Sequence, residues 1–452
     1  MVAYYQDKDV TVYNKDCRDM SELKDESVHC VVTSPPYFGL RKYKGLPDSI
    51  WGDKGCQHEW GDTIPNPMCK SGKHGPASCL TKTADAQHAV RKESNQGNFC
   101  SLCGAWQGQL GNEPTIEIYI QHLIEIFREV KRVLRNDGCL FVNISDSYTA
   151  SGGAGGDYNK GGQPKYEGRN LSSLKPSDLC LIPERFVLAM QAEGFYVRQR
   201  IIWHKPSCMP QSVKSRPTTD YEFIYLLTKS PSNKYFWDCE AVREKAEDWG
   251  TRDRTNFRNG TDDILLKHHG LENCNSALTG RNLRSVWAIN SGAKPKYLSG
   301  HYATFPVELP TRCIKAATSE YGCCALCGKP WERTVKIKGK QITEAMKASG
   351  CDKSGGYKGQ DIANYTDGLA QSPSDTKRRV LEGMSHIKEF SWHKSCNCKT
   401  EERTPCLVLD CFAGTGTTLW AAKKLGRKAV GYELSESYCK LIIKRNAQQV
   451  IL

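Results

Sequence analysis

The sequence predicts an α/β fold, a twisted and mostly parallel sheet covered by helices, and three observations carry that prediction. Short β-rich runs alternate with amphipathic helical runs over most of the chain, the pattern of strand–helix–strand units. A buried strand runs straight into two consecutive prolines, Pro35 and Pro36. Near the C-terminus another strand runs into the turn Gly414-Thr415-Gly416 and then into a helix. Stiff or glycine-rich turns at the carboxyl ends of strands are where open α/β sheets place their ligands.

The elements follow in order. Residues 10–13 and 28–33 are β-rich, and the polar SELKDE stretch between them predicts a helical connection. Ser34-Pro35-Pro36-Tyr37 comes next as a rigid turn, because two prolines can neither extend a paired strand nor sit inside a helix. Over 114–135 the residues Ile116, Tyr119, Ile120, Leu123, Ile126, Phe127, Val130 and Leu134 recur at three- and four-residue spacing, predicting a helix closed by Asp137-Gly138. A strand over 139–144, a helix over 183–193 closed by Gly194, and strands over 196–203 and 221–228 complete the middle of the chain. Residues 151–168 are glycine-rich, and 240–284 are irregular and polar; both read as solvated loops. A buried strand over 406–410, the glycine turn, a helix over 418–425 and a strand over 429–433 end the pattern.

Composition bounds the function. With 452 residues, 39% hydrophobic and 25% charged, and a mean hydropathy of −0.56, the chain can bury a large core and carry appended modules, so a disordered or fibrous protein is excluded. No run reaches the roughly 18 to 20 apolar residues of a membrane span, and MVAYYQDKDV carries charges where a signal peptide is apolar. The expectation is a cytoplasmic protein with no membrane partner. A net charge of +13 favours a polyanionic partner without choosing between DNA and RNA.

The glycine turn Phe412-Ala413-Gly414-Thr415-Gly416 lets backbone approach a ligand that a Cβ would block. Glu433 closes the following strand, where a carboxylate can accept both hydroxyls of a ribose. Together they point to a nucleoside-containing cofactor, with a helix cap and an exposed Glu as the plainer alternative. Leu419 stands where a dinucleotide fingerprint has its third glycine, which argues against a nicotinamide or flavin.

With Ser34-Pro35-Pro36-Tyr37 first and Phe412-Ala413-Gly414-Thr415-Gly416 last, the chain resembles the β-class of S-adenosylmethionine-dependent DNA amino-methyltransferases. The resemblance extends through Asn14-Lys15-Asp16-Cys17, Asn143-Ile144-Ser145-Asp146-Ser147-Tyr148 and His301-Tyr302-Ala303-Thr304-Phe305-Pro306. It is strongest to phage and bacterial enzymes in which Thr-Ser-Pro-Pro-Tyr leads into an aromatic, Gly, Leu and Arg, here Phe38, Gly39, Leu40 and Arg41. It implies a permuted Rossmann-like fold with a seven-stranded sheet, and methyl transfer from S-adenosylmethionine to the exocyclic amine of a base flipped out of double-stranded DNA. Ser34, Pro35, Pro36 and Tyr37 are the implied catalytic residues: Ser34 Oγ and the Pro35 carbonyl accept the amine protons, and Tyr37 stacks on the base. The implied cofactor set is Asp16 on the adenine amine, Glu433 on the ribose, Asp410, Phe412, Ala413, Gly414, Thr415, Gly416, Thr417 and Thr418 around the methionine part, and Thr33, His301, Ala303, Thr304, Phe305 and Pro306 beside it. Cys411 departs from the family, which commonly has proline there. Asp146 is open between a turn residue and a base contact. Family members with Ser at the first catalytic position mostly methylate cytosine N4, so cytosine is the first expectation. Adenine N6 is the alternative, and an inactive zinc-stabilised nucleic-acid-binding protein is the alternative of another class. A homodimer and a cognate restriction endonuclease are both compatible with the resemblance, and the sequence decides neither.

The chain holds 22 cysteines, and without a secretory signal clustered cysteines point to metal rather than disulfides. Cys56, His58, Cys100 and Cys103 form one group, and Cys324, Cys327, Cys396 and Cys398 form another. Each pairs two short ligand motifs across a long polar stretch and completes four protein ligands, so about two structural zinc ions are expected, with redox or unliganded cysteines as the alternative. Cys69 and Cys79 are alternative ligands in the first group, and Cys323 and His393 in the second. The resulting division is a methyltransferase core at 1–50, 113–236, 291–320 and 401–452, zinc-binding insertions at 51–112 and 321–400, and a target-recognition region at 237–290, where Lys and Arg would meet phosphates and base edges.

Overall fold

The computed structural model describes residues 2–39, 46–62, 97–149, 174–175, 177–211, 213–232, 234–244, 281–290, 305–338 and 387–447. Leu40, Arg41, Cys69, Cys79, His301, Ala303, Thr304, the loop 151–168 and the stretch 245–280 lie outside the described residues. The chain divides into two bodies: Met1–Trp237 with Arg284–Pro330 and Cys398–Leu452, and Asp238–Leu283 with Trp331–Asn397.

The first body begins with β1 (Tyr5–Gln6), β2 (Val10–Tyr13) and β3 (Val28–Thr33). The expected SELKDE helix is replaced by turns. Six residues are too few to repay helix nucleation. Asp16 and Asp19 instead accept the amides of Arg18 (2.9 Å) and Ser21 (3.0 Å), the local bonding that competes with a helix. A small antiparallel sheet follows from β4 (Ser49–Trp51), β5 (Asn98–Phe99) and β6 (Trp106–Gly108), with β6 between the other two. Helix α1 (Ile116–Val133) starts at Thr115, whose hydroxyl accepts the Ile118 amide at 3.3 Å. The helix ends earlier than its periodicity suggested, and β7 (Leu134–Ile144) takes over at once. The pairing of β7 with β3 shifts register between Val28↔Leu134 and Cys30↔Cys139, so the Asp137-Gly138 stop signal is absorbed in a bulge rather than a helix cap.

Helix α2 (Ile182–Ala192), β8 (Tyr196–His204), β9 (Tyr221–Thr228), β10 (Val286–Ala288), α3 (Glu308–Ala317) and β11 (Cys323–Cys324) come next. The second body holds the hairpin of β12 (Glu332–Lys338) and β13 (Ile387–His393), in which Arg333 bonds Asp238 at 3.0 Å and lies over the Trp392 ring. The chain closes the first body with β14 (Arg403–Thr404), β15 (Leu407–Asp410), α4 (Thr417–Lys424), β16 (Lys428–Tyr432) and α5 (Glu436–Asn446).

The main sheet runs β1-β2-β16-β15-β3-β7-β9-β8-β10. The central run from β2 to β7 is parallel, β9 is antiparallel to both β7 and β8, and β10 returns parallel to β8. The expected mixed α/β architecture with a mostly parallel sheet is therefore present, but among the described residues the sheet has nine strands rather than seven. The two additions are short edge strands, β1 and β10, which pair backbone groups that a seven-stranded sheet would leave open at its rims. Along β7 the residues Leu140, Val142 and Ile144 join one apolar cluster with Leu123, Phe127 and Phe186 of α1 and α2. Helices α3 and α4 pack outside that cluster, so the sheet is covered on both faces. Phe127 is buried against Phe186 at 5.2 Å, a burial that stabilises by about 1.5–3 kcal/mol for a side chain of that size.

Candidate active site and metal centres

Parallel pairing of β3 with β15 (Cys30↔Val408, Val31↔Leu409) brings the carboxyl ends of the two strands side by side. The Pro-Pro turn leaves one and the glycine turn leaves the other. Asp410, buried at the end of β15, ties them together: its carboxylate accepts Thr33 Oγ1 at 2.7 Å, Thr418 Oγ1 at 2.7 Å and the Phe412 amide at 3.1 Å. Burial pushes its pKa up to about 6. Cys411 donates its thiol to Thr33 Oγ1 at 3.4 Å, so cysteine in place of the family's proline adds a bond between the same two turns. Thr33, Asp410 and Thr418, expected beside the cofactor, thus spend polar atoms on one another.

The glycine turn is held from both sides. Glu433, just beyond β16, accepts the Gly414 amide at 2.8 Å and the Ser435 amide at 2.8 Å. Burial raises its carboxyl to about 7, against the pull of those amides. From α5, the buried Arg445 donates to the Thr415 carbonyl (3.0 Å) and to Thr417 Oγ1 (2.6 Å). Gly416 has φ +75°, and a Cβ there would stand 3.0 Å from Ile442 Cγ2. Ala413 donates its amide to the Tyr432 carbonyl at 3.0 Å. Pairing of β2 with β16 sets Asn14 against the same edge, its amide bonding the carbonyls of Glu433 (2.8 Å) and Leu434 (2.9 Å). Asp16 is turned to Arg18, whose guanidinium bonds it at 2.6 Å and lies over the Trp51 ring. Phe305 and Pro306 precede α3 and are half-buried.

The Pro-Pro turn is fixed by α1 and by the strands beside β3. Tyr119 of α1 donates its hydroxyl to the Pro36 carbonyl at 2.8 Å, and Gly39 donates its amide to the Gly111 carbonyl at 2.8 Å. Pro35 is buried and Ser34 half-buried. Tyr37 is not a bare aromatic face. Its hydroxyl donates to Glu222 Oε2 at 2.7 Å, lies 3.1 Å from Asn143 Oδ1, and receives Ser34 Oγ at 3.3 Å. Burial, and then the Glu222 charge, hold the phenol well above its ordinary pKa. Asp146 resolves to a structural place: it accepts the amides of Ser147 (2.8 Å), Leu181 (3.1 Å) and Ile182 (3.1 Å), capping the start of α2.

Sequence reading missed Asn143 as a side chain of the site, together with Lys205, Glu222 and Arg445. Glu222 and Lys205 carried no motif; Glu222 reaches Tyr37, and Lys205 reaches Glu222, only through the antiparallel pairing of β9 with β7 and β8.

The ligand atoms of Cys56, His58, Cys100 and Cys103 lie within 4.8 Å of one another. Cys56 Sγ is 4.0 Å from Cys100 Sγ, and Cys103 Sγ is 3.5 Å from His58 Nδ1. A tetrahedral zinc with Zn–S of about 2.3 Å sets such atoms roughly 3.5–4 Å apart, so this donor set fits that ion. In the second group Cys324, Cys327 and Cys398 belong to the first body and their sulfurs share the same 4.8 Å limit. Cys396 lies in the last two residues of a second-body segment. The two Cys-x-x-Cys-Gly turns have one geometry: Gly104 donates to the Cys100 carbonyl at 3.0 Å and Gly328 to the Cys324 carbonyl at 2.9 Å, with φ of +73° and +71°. The alternative ligands of the second group face elsewhere. Cys323 lies in a buried trio with His29 and Cys406, and His393 Nδ1 lies 2.8 Å from Thr334 Oγ1.

A DNA methylase family model matches residues 28–325 and 401–444. The stretch between the matched segments falls within the expected second insertion. The chain is 36% identical to the type II methyltransferase M.SmaI of Serratia marcescens over 257 residues, 54% of this chain and 77% of that protein. It is 32% identical to the type II methyltransferase M.Cfr9I of Citrobacter freundii over 306 residues, 66% of this chain and 69% of that protein. Against the type II methyltransferase M.SfiI of Streptomyces fimbriatus the identity is 29%, over 97% of this chain and 91% of that one. Among solved structures, the cytosine-N4-specific PvuII DNA methyltransferase aligns over 100% of this chain and 90% of its own, with a TM-score of 0.45 and 14% identity.

Proposed function

The chain belongs to the DNA methylase family and is an S-adenosylmethionine-dependent, site-specific DNA methyltransferase, and from that premise we propose that it methylates the exocyclic N4 amine of cytosine at Ser34. The observation that carries this reading is the bridge Thr33–Asp410–Thr418. It joins the turn suited to a methyl donor to the turn suited to an amine, at neighbouring strand ends.

An aromatic exocyclic amine is a weak nucleophile because its lone pair is delocalised into the ring. Acceptors that hold its protons draw that lone pair back onto nitrogen. Ser34 Oγ and the Pro35 carbonyl supply those acceptors, and the prolines fix the carbonyl while offering no N–H to repel the amine. S-adenosylmethionine supplies an electrophilic methyl group. Its cradle is the glycine turn, shaped by Glu433 and Arg445, with Asp16, Phe305 and Pro306 at its edges. The base is reached by extrusion from duplex DNA.

Two structural zinc ions complete the protein, one on Cys56, His58, Cys100 and Cys103. The other is assigned to Cys324, Cys327 and Cys398, with Cys396 as the fourth ligand expected from sequence. All four positions at each are protein ligands, so the ions hold insertions and leave no place for substrate. Among the described residues no helix is long and apolar enough to cross a membrane. The type II designation of the relatives and their bacterial sources support a role in restriction-modification beside a cognate restriction endonuclease, in the cytoplasm of a bacterial cell.

The test is to express the protein in a host without methylation of its own and read the modified bases of the host DNA at single-base resolution. N4-methylcytosine in every copy of one short motif is expected. N6-methyladenine at one motif would overturn the base assignment and leave the family standing, and modification without a motif would overturn site specificity.

A further inference from the structure

Methyl transfer to an amine leaves a proton to be disposed of, and the hydrogen bonds around Tyr37 form a directed path for it. A phenol has one proton, and its shorter bond, 2.7 Å, is to Glu222 Oε2 rather than to Asn143 Oδ1 at 3.1 Å. Tyr37 therefore donates to Glu222 and is left to accept, which is the direction of the 3.3 Å bond from Ser34 Oγ. With its own proton committed to Tyr37, Ser34 presents only lone pairs to an incoming amine. Burial keeps Tyr37 protonated, so it relays and does not act as a phenolate. Glu222 is itself held in place: Asn143 Nδ2 donates to Oε2 at 3.0 Å and also to the Phe223 carbonyl at 3.1 Å, and Lys205 Nζ pairs with Oε1. Lys205 is 23% exposed and Glu222 12%, so the carboxylate lies near water.

We propose that Glu222, acting through Tyr37 and Ser34, is the terminal proton acceptor of methyl transfer and the positioning residue that makes Ser34 an acceptor toward the target amine. The proposal rests on the amine-methylation reading above. As the N–C bond forms and the C–S bond breaks, its electron pair stays on sulfur. One amine proton passes to Ser34 Oγ, the Ser34 proton to Tyr37 Oη, and the Tyr37 proton to Glu222 Oε2. Each turnover leaves neutral thioether, methylated neutral amine and one protonated Glu222, whose proton passes on to water.

The charged and titratable groups near Glu222 are Lys205 and Tyr37, in contact with it, and the ion pair of His204 with Asp220 at 3.4 Å on the adjoining strand ends. The test compares wild type with Glu222→Gln, Tyr37→Phe, their double variant, Glu222→Asp and His204→Gln. It reads single-turnover methyl transfer to DNA against pH and S-adenosylmethionine affinity by calorimetry. Wild type is expected to lose rate on the acid side. Glu222→Gln is expected to be slower by about 10²-fold, the usual worth of a positioned base, with a pH-independent residual rate and unchanged affinity. Tyr37→Phe should match it, the double variant should be no slower than either, Glu222→Asp should restore the acid limb, and His204→Gln should keep it. Glu222→Gln at the wild-type rate, a slowed Glu222→Gln that keeps the acid limb, or additive losses in the double variant would each overturn the relay while the functional reading stands. If Glu222→Gln does not fold, Glu222→Asp without an acid limb overturns it equally. A wild-type protein that transfers no methyl to DNA sinks the functional reading and the relay with it.

Discussion

In the proposed reading Ser34 and Glu433 mark the two halves of the chemistry, and each gives a separable measurement. Ser34→Ala removes one preorganised hydrogen-bonding partner of the amine, so single-turnover methyl transfer should fall by about 10²–10³-fold, while S-adenosylmethionine affinity by calorimetry stays within about twofold. Glu433 gives a pH signature. Its carboxyl is raised from 4.5 to about 7 by burial, so between those values the folded state binds more protons than the unfolded state. Stability from this group is complete below 4.5 and is lost as pH rises through about 7. Glu433→Gln does not titrate, and the difference in unfolding free energy between it and wild type should shift in favour of the variant by about 3 kcal/mol from pH 4 to 8, at about 1.4 kcal/mol per pKa unit. Denaturant unfolding of both proteins across that range checks the sign. At this scale the sequence showed Ser34, Tyr37 and Glu433 because each stands in a short motif at a strand end. It hid Glu222 and Arg445, whose partners lie far away in the chain and arrive only through β9–β7 pairing and the packing of α5.

Strands with strong β-branched runs were legible to the residue: β2, β3 and β9 have the bounds that their sequence suggests. Helix ends were not. The α1 periodicity continues through Leu134, but Leu134 pairs with Val28 of β3, so tertiary pairing overrides a local pattern. SELKDE failed as a helix because its neighbouring aspartates satisfy the backbone locally. The glycine turn carries an element-level prediction. Gly416→Val places a β-branched side chain at φ +75° and against Ile442 of α5. Cofactor binding should be lost beyond detection by calorimetry, and the melting temperature should fall too, because the clash is with the helix that holds Arg445. An unchanged melting temperature with lost binding would mean that the glycine faces ligand alone.

Among the described residues the main sheet has nine strands, and in the proposed reading its neighbouring strand ends carry the two halves of the reaction. The order of strands was not legible, since no local pattern states that β15, from the end of the chain, lies between β16 and β3. The cysteine groups were legible from spacing alone, because ligand pairs close in sequence need only one long-range closure. Metal analysis of purified protein should give about two zinc per chain, and Cys100→Ser should lower it to about one with destabilisation of the β4–β6 sheet. Wild type with well under one zinc would remove the metal assignment and leave the methyl-transfer site untouched. The central claim, an exocyclic amine of cytosine methylated at Ser34, is tested most directly by incubating purified protein with mixed-sequence duplex DNA and S-adenosylmethionine, digesting to nucleosides and identifying the product by mass spectrometry. N4-methylcytosine, reduced by about 10²-fold or more with Ser34→Ala, is the expected result; N6-methyladenine, or methylcytosine formed undiminished by the variant, would contradict it.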